Sequence, residues 1–356
     1  MKKAVGRLLA KNSTIDRVSH AFHTDKGLQA LPGHSGRMSP HPLRFDVLLT
    51  ESALADRLWQ SLDQRVLPEM FFYWFPLSVR AWVNLCQDNN YRNAVRSNRL
   101  IQTSVKQIIR QVDCHERDAI DVISLGAGQG TKDLHVLTAL LSVGWRVRYR
   151  PVDSGQMLLE MACAQALEQG MAVLGLKADI TDAAHLSALV PDPGDAPRIV
   201  MMVGNTLGAF DPAVMLGRLR ALVRANDLLL IDGEIGHDAA TRAGYEHPAN
   251  RAFALAPLRS IGLTERDGTL MFDLRNDVMP GMHRLEKSFR LHAECAVQVA
   301  GEQLHFQAGD CIHMNHSGKF GHKALVSLLA HAGFDVVDQY LSEDRRFVML
   351  AAKAAP

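Results

Sequence analysis

"DVISLGAGQGTKD", residues 121–133, is the stretch on which the fold of this chain turns. Its first half is apolar and reads as a β-strand. Its second half sets Gly126, Gly128 and Gly130 at alternate positions before a helical pattern begins at Thr131. A chain that leaves a strand through such a turn brings bare backbone N–H groups up to a ligand at a helix N-terminus, and the usual guest is a nucleotide. The turn by itself does not say which nucleotide.

Working outward, the grammar of strand, turn and helix repeats. "AIDVISLGAG" precedes "TKDLHVLTALLSVG", "RVRYRPVDS" precedes "GQMLLEMACAQALEQG", and "MAVLGLKADI" follows. Then come "RIVMMVGNTLGAF", the helix "PAVMLGRLRALVRA" and "DLLLIDGEI". Such alternation predicts parallel strands joined by right-handed crossovers, a doubly wound α/β sheet. Residues 236–310 break the rhythm with "GTLMFDLRND" and "MHRLEKSFRLHAECAVQVAGEQLHF", whose alternating polar and apolar residues suit an antiparallel sheet with one wet face. The chain then returns to an amphipathic helix, "HKALVSLLAHAG", and two strands, "FDVVDQYLS" and "RFVMLAAK". Upstream, "ALADRLWQSLDQRVL", "SVRAWVNLCQ" and "SNRLIQTSVKQIIRQV" carry helical spacing, and residues 23–43 collect Gly, Pro, Ser and His without apolar period, as a surface linker does.

Composition narrows the partners. With 356 residues the chain can bury a sizeable core, and two lobes are expected. Lys+Arg number 39 against 38 Asp+Glu, so no global field draws the protein to nucleic acid or anionic lipid, and a small-molecule substrate fits better. No obligate protein partner is evident. Cys86, Cys114, Cys163, Cys295 and Cys311 form no C-x-x-C pair, which argues for a reducing, cytoplasmic setting. The start, "MKKAVGRLLAKNSTIDR", has its apolar stretch broken by Gly6, Arg7 and Lys11, unlike a signal peptide, and no stretch is long enough to span a bilayer.

A dinucleotide fingerprint places its third glycine three residues after the second, where this chain has Thr131; the spacing here is G-x-G-x-G. That pattern is typical of class I S-adenosylmethionine (SAM)-dependent methyltransferases, and the C-terminal helix and hairpin resemble their antiparallel closing strand. The fold expected is a Rossmann-like, doubly wound class I methyltransferase sheet with a second, interleaved α+β substrate lobe, and the expected cofactor is SAM. Asp153 ends the second strand, where a carboxylate binds a ribose diol through charge-assisted hydrogen bonds. Asp179 ends the third, beside the adenine amino group, with Ile180 on the ring. Gly204 ends the fourth, at the carboxyl-end mouth where such sheets bind ligands.

More narrowly, the chain from about residue 66 onward resembles the histidine-specific Nα-methyltransferases of ergothioneine biosynthesis. The likeness rests on the order of "LPEMFFYW", "LGAGQGTKD", "RPVDSG", "KADI", "VGNTLGAFDP", "RLRALVRANDLLLIDGEI", "GYEHPANRAFAL", "HRLEKSFRL" and "HSGKF", and on the 21 residues from Lys132 to Asp153. It implies a SAM-binding domain at 100–235 closed by 321–356, with a substrate lobe made of 236–320 and the N-terminal 1–99. On the cofactor side it places Gly126 and Lys132 at the methionine end, Asp153 on ribose, and Asp179 with Ile180 on adenine; Gly128 belongs to the same turn. On the substrate side Tyr245 and Tyr91 fall where the family holds the amino acid's carboxylate and amine, and Ser317 falls on a family serine. Three positions depart: Ala209 replaces an asparagine that holds the substrate amine, Asn315 replaces a glutamate that reads the imidazole, and Lys287 replaces a pocket methionine. A neutral amide cannot supply a glutamate's charge and alanine has no donor or acceptor, so histidine is a poor expectation for the substrate. Asn205 is a candidate to supply the missing amide, against its plainer reading as a turn cap.

H-x-x-H at His313 and His316 sets the two rings on opposite strand faces with no acidic or cysteine partner, so no metal site is expected. Tyr73 and Trp74 in "MFFYWFP" are either core or a lid over the sulfonium, which aromatic faces attract. Glu234, at the end of "LLLIDGEIG", is a candidate to orient an amine, and Asp232 is read as a partner for backbone. The expected activity is N-methylation of a small amino acid or amine other than histidine. The alternative is a SAM-consuming cyclase or aminocarboxypropyl transferase that releases methylthioadenosine, for example by forming azetidine-2-carboxylate.

Overall fold

The computed structural model describes residues 43–112, 119–190, 196–236 and 239–356. The stretch expected to be a linker lies, apart from Leu43, outside them, as does Cys114. The central sheet is built from β1 (Phe45–Val47), β2 (Ala119–Leu125), β3 (Arg146–Asp153), β4 (Ala172–Val173), β5 (Gly175–Lys177), β6 (Arg198–Met202), β7 (Leu228–Glu234), β13 (Phe334–Leu341) and β14 (Phe347–Ala354). Their order is β1-β5-β3-β2-β6-β7-β14-β13, with β4 set beside β3. All neighbours are parallel up to β7; β14 runs antiparallel to β7, and β13 antiparallel to β14. The fold is thus the doubly wound α/β sheet with an antiparallel closing pair that the sequence predicts. No helix among the described residues is long and apolar enough to cross a membrane.

The central strands read as unbroken apolar runs because helices cover both faces. Every residue of β6 and β7 is buried. One apolar cluster, on one side of the sheet, joins Val152, Val200 and Ile231 to Leu216 and Leu219 of the helix Pro212–Leu222; the other joins Val122, Ile199 and Leu230 to Val136, Leu137 and Leu140. The one charge at the start of β6, Arg198, is 1% exposed and is held by Asp227 together with the carbonyls of Leu189 and Leu222. A buried charge is tolerable only with this degree of pairing.

The edge strand β1 was not expected: three residues, too short to show a period, pair with β5 and so tie the N-terminal block to the cofactor sheet. The division expected at residues 99 and 100 falls inside one helix, Arg92–Arg110, whose buried side (Leu100, Ile101, Ile108) packs on the sheet cluster. The second lobe contains β8 (Gly268–Met279), β9 (Met282–Leu291) and β12 (Cys311–Phe320) in the antiparallel order β12-β9-β8, and the hairpin of β10 (Cys295–Val299) with β11 (Glu302–Phe306). The single long β run read from 282 to 306 is therefore three strands. One cluster fastens this lobe to the N-terminal helices: Leu54, Leu58, Phe71 and Phe72 pack with Phe253, Leu258, Phe289 and Phe306.

Candidate active site

One cavity of about 880 Å³ opens between the carboxyl ends of the parallel strands and the second lobe. Its floor is the glycine turn. Gly126, Gly128 and Gly130 all have positive φ, at 70°, 56° and 78°, which explains why no other residue type stands there. Gly130 serves packing: a Cβ there would lie 2.9 Å from the Cβ of Ala162 on the helix Gln156–Glu168. Gly128 serves the cavity, since a Cβ there meets only the Trp82 Nε1, at 3.8 Å. The helix Thr131–Ser142 starts directly after the turn, and its first-turn Asp133 accepts a hydrogen bond from the Tyr149 hydroxyl. Burial raises the Asp133 carboxyl to about 6, with Tyr149 and Ser124 opposing the rise.

Asp153 lines the cavity at the end of β3, and its two oxygens accept from the backbone N–H groups of Gly128 (2.9 Å) and Gly155 (2.8 Å). Burial raises its carboxyl and those backbone bonds hold it back. Each oxygen keeps a second lone pair for a ligand. Asp179 lines the cavity too, with one oxygen on Thr181 and the other on Arg57, which comes from the helix Glu51–Asp63. Lys132, Ile180 and Gly204 complete this end; the Lys132 Nζ stands 2.9 Å from where a Cβ on Gly204 would be. Asp232 is spent on structure, accepting from the N–H groups of Gly204 and Asn205, both at 2.7 Å, and from the Ser97 hydroxyl.

Across the cavity, Tyr73, Tyr91, Asn205, Ala209, Tyr245, Lys287, Asn315 and Ser317 are all in the wall. Three donors converge on the Ser317 Oγ: Tyr245 Oη at 2.8 Å, Lys319 Nζ at 2.7 Å and Asn205 Nδ2 at 3.1 Å. A hydroxyl oxygen has two lone pairs, so the Ser317 Oγ accepts from two of these three donors at a time. Lys319 is fully buried and also reaches the Tyr245 hydroxyl at 2.7 Å and Glu234 at 2.6 Å. Burial works against its charge, but Glu234 and Tyr245 outweigh this and raise its pKa. Asn205 adopts φ 62° and makes no side-chain cap; its amide oxygen accepts from the Glu234 N–H at 2.9 Å. The turn-cap reading of Asn205 is therefore not what the geometry shows.

Two expectations are corrected. Glu234 does not line the cavity: its carboxylate is held by Lys319 and Asn93, behind the wall, where it cannot meet an incoming amine. Trp74 is not in the wall either; its Nε1 donates to Glu51 at 2.6 Å and its ring packs on Phe71 and Phe75. Tyr73 is in the wall, its hydroxyl bound to Glu69 at 2.9 Å and its ring edge-on to Trp82 at 5.2 Å.

Sequence reasoning missed Glu69, Trp82 and Phe253 as cavity residues. Trp82 and Phe253 sit at helical spacing that reads as core, whereas Glu69 was visible as the one acid in an apolar cluster, "LPEMFFYW". Glu69 accepts from Tyr73 and from the Asn315 Nδ2 at 2.5 Å. Burial raises its carboxyl, with Lys287, Asn315 and Tyr73 opposing. The Asn315 Oδ1 is buried and has no partner.

Residues 52–354 match the family described as histidine-specific methyltransferase, SAM-dependent. A curated relative, the N-methyltransferase fsqC of Aspergillus fumigatus, is 26% identical over 329 residues, covering 88% of this chain and 86% of the relative. Among solved structures, a SAM-dependent methyltransferase from Clostridium acetobutylicum aligns at 9% identity over 73% of this chain and 92% of its own, with a TM-score of 0.39. The 1,6-didemethyltoxoflavin-N1-methyltransferase of Burkholderia thailandensis, solved with S-adenosylhomocysteine, aligns at 14% identity over 78% and 88%, also at 0.39. The sheet order above, rather than these low scores, defines the fold.

Proposed function

The chain belongs to the histidine-specific, SAM-dependent methyltransferase family, and from that premise we propose that it methylates the nitrogen of a small amine or amino acid other than histidine. The observation that carries this reading is the continuity of the cavity, which is walled by the glycine turn at one end and by Tyr245, Asn315 and Ser317 at the other. At about 880 Å³ it stands near the top of the range of small-molecule sites, roughly 300–1,000 Å³, with room for the cofactor and a second small molecule. Closing a ring within SAM's own aminobutyrate arm needs no second molecule and gives that far wall no task.

The residues present fit SAM, because the backbone at Gly128 faces open cavity and Asp153 has lone pairs to spare beside it. When bound, SAM supplies a methyl group on a sulfonium, open to displacement by a neutral nitrogen. We assign Asp153 to the ribose hydroxyls, Asp179 and Ile180 to adenine, and Gly126, Gly204 and Lys132 to the methionine end. Tyr73 presents its ring, fixed by Glu69, as a cover that excludes water. Tyr245, Tyr91, Ser317 and Asn205 hold the acceptor so that its nitrogen lies in line, the alignment that lowers such a barrier most. No strong base is required, since an amine that binds deprotonated is already a nucleophile. In this reading 100–235 and 321–356 form the cofactor half, and the N-terminal segment with 236–320 the acceptor half.

Histidine fits poorly in that half. Glu69 does restore a carboxylate next to Asn315, but each of its oxygens already accepts one hydrogen bond and its neighbouring charge is the Lys287 ammonium. An imidazole there meets a cation beside a carboxylate that is already engaged at both oxygens. The test is to incubate the protein with SAM and a pool of amines and amino acids, then identify products by mass spectrometry. S-adenosylhomocysteine with an N-methylated member of the pool is expected; methylthioadenosine as the sole nucleoside product would overturn the assignment in favour of the cyclase.

A further inference from the structure

Two lysines are buried at the acceptor end, and they are in opposite situations. Lys319 is saturated, with Glu234, Tyr245 and Ser317 all within 2.7 Å of its Nζ. Lys287 is 7% exposed and lines the cavity, yet makes no hydrogen bond and no ion pair among the described residues. Its Nζ lies over the ring of Phe72 at 5.3 Å and that of Tyr245 at 5.9 Å. Those ring contacts soften the cost of burying an ammonium but satisfy none of its three N–H donors. Glu69, the carboxylate whose field reaches it, accepts one hydrogen bond on each oxygen, from Tyr73 and from Asn315, and none from Lys287.

An ammonium in a cavity wall with no acceptor among the described residues has its donors open to whatever fills the cavity, so this wall offers a place for an anion. We propose that Lys287 is the counter-charge for a carboxylate on the methyl acceptor, so that the substrate class is a carboxylate-bearing amine held by its acid at this wall. The neighbouring Asn315 Oδ1, buried without a partner, supplies the complementary acceptor for an N–H or O–H donor of the same molecule. A free carboxylate pairs with the lysine and a donor pairs with the amide, so one zwitterionic ligand satisfies both orphaned groups. The carboxylate's source is either the main chain of an amino acid or an acidic side chain, and the two place the same charge at Lys287.

This inference rests on the methyl-transfer reading for its substrate, but its test reads binding, not turnover, so the two can fail separately. The protein, saturated with S-adenosylhomocysteine at pH 7, is titrated calorimetrically with L-amino acids, each beside its α-amide. Glutamate is set against glutamine and aspartate against asparagine, which separates side-chain from main-chain acids. At least one acid should bind tenfold or more tightly than its amide. In Lys287→Met that tenfold preference should vanish while the affinity for S-adenosylhomocysteine is unchanged; Lys287→Gln, which keeps length and polarity without charge, guards against a packing defect in the Met variant. No acid–amide preference anywhere in the panel, or a preference that survives both substitutions, would overturn the proposal.

Discussion

The two ends of the cavity are walled with different materials. At the glycine-turn end the wall combines the backbone of one turn with Asp153, a carboxylate that is itself tied to backbone at Gly128 and Gly155. At the acceptor end the materials are side chains with charges at stake: a saturated lysine, an unsaturated lysine, and Glu69 with its pKa raised by burial. Backbone geometry tolerates few substitutions, whereas a set of side chains can be recoded by changing one residue at a time.

The largest expected effect lies at the rigid end. Asp153→Ala removes a charged acceptor from the ribose position and strands the Gly128 and Gly155 N–H groups, each lost charge-assisted bond being worth about 1.5–3 kcal/mol. Calorimetry should show the S-adenosylhomocysteine affinity falling by at least about a hundredfold. An unchanged dissociation constant would erase the contrast between the two ends.

At the recodable end, Lys287→Met should stabilise the ligand-free protein at neutral pH, by roughly 1–4 kcal/mol, as replacing buried charge with packed apolar groups often does. The effect is pH-dependent. Burial lowers the Lys287 pKa from 10.5 to about 8, with Glu69 opposing and Lys319 adding to the drop. Between those values the unfolded chain binds the proton and the folded chain does not, so the wild-type penalty is full below about pH 8 and is relieved as pH rises toward 10.5. Thermal melts should therefore show the variant's advantage shrinking above pH 8; an advantage that stays constant would mean that folding leaves the Lys287 pKa unshifted and that its burial carries no charge penalty.

The boundary between the ends is sharpened by the smallest effect. Tyr73→Leu should weaken SAM more than S-adenosylhomocysteine, by about 0.5–2 kcal/mol, because only the sulfonium is drawn to the ring. Trp74→Leu, outside the wall, should change neither relative to the other. Equal losses for both ligands in Tyr73→Leu would make that ring packing alone.

The cofactor end was legible because its chemistry is local. Strand, turn and helix follow one another within "DVISLGAGQGTKD", and Asp153, Asp179 and Gly204 each stand where an apolar run stops, so spacing alone places them at one edge of a parallel sheet. The acceptor end is assembled from distant segments. Glu69 meets Asn315 across 246 positions, Asn205 meets Ser317 across 112, and Lys319 reaches back to Glu234 at the end of β7. No periodicity encodes such meetings. Glu234 stood at the right strand end but was claimed by Lys319, a partner on another strand, while Trp82 carried the helical spacing of a core residue and turned out to face the glycine turn. The edge strand Phe45–Val47 was too brief to show a pattern and exists because β5 offers it an open edge.

In the proposed function a SAM site adjoins an acceptor pocket that does not suit histidine. The most direct measurement is steady-state formation of S-adenosylhomocysteine from SAM with L-histidine as the sole acceptor, with SAM binding verified on the same preparation. No release above the rate with SAM alone is expected, and no methylated histidine by mass spectrometry. Catalytic turnover to methylated histidine would contradict this, and would mean that histidine is accepted with Ala209, Lys287 and Asn315 in the pocket.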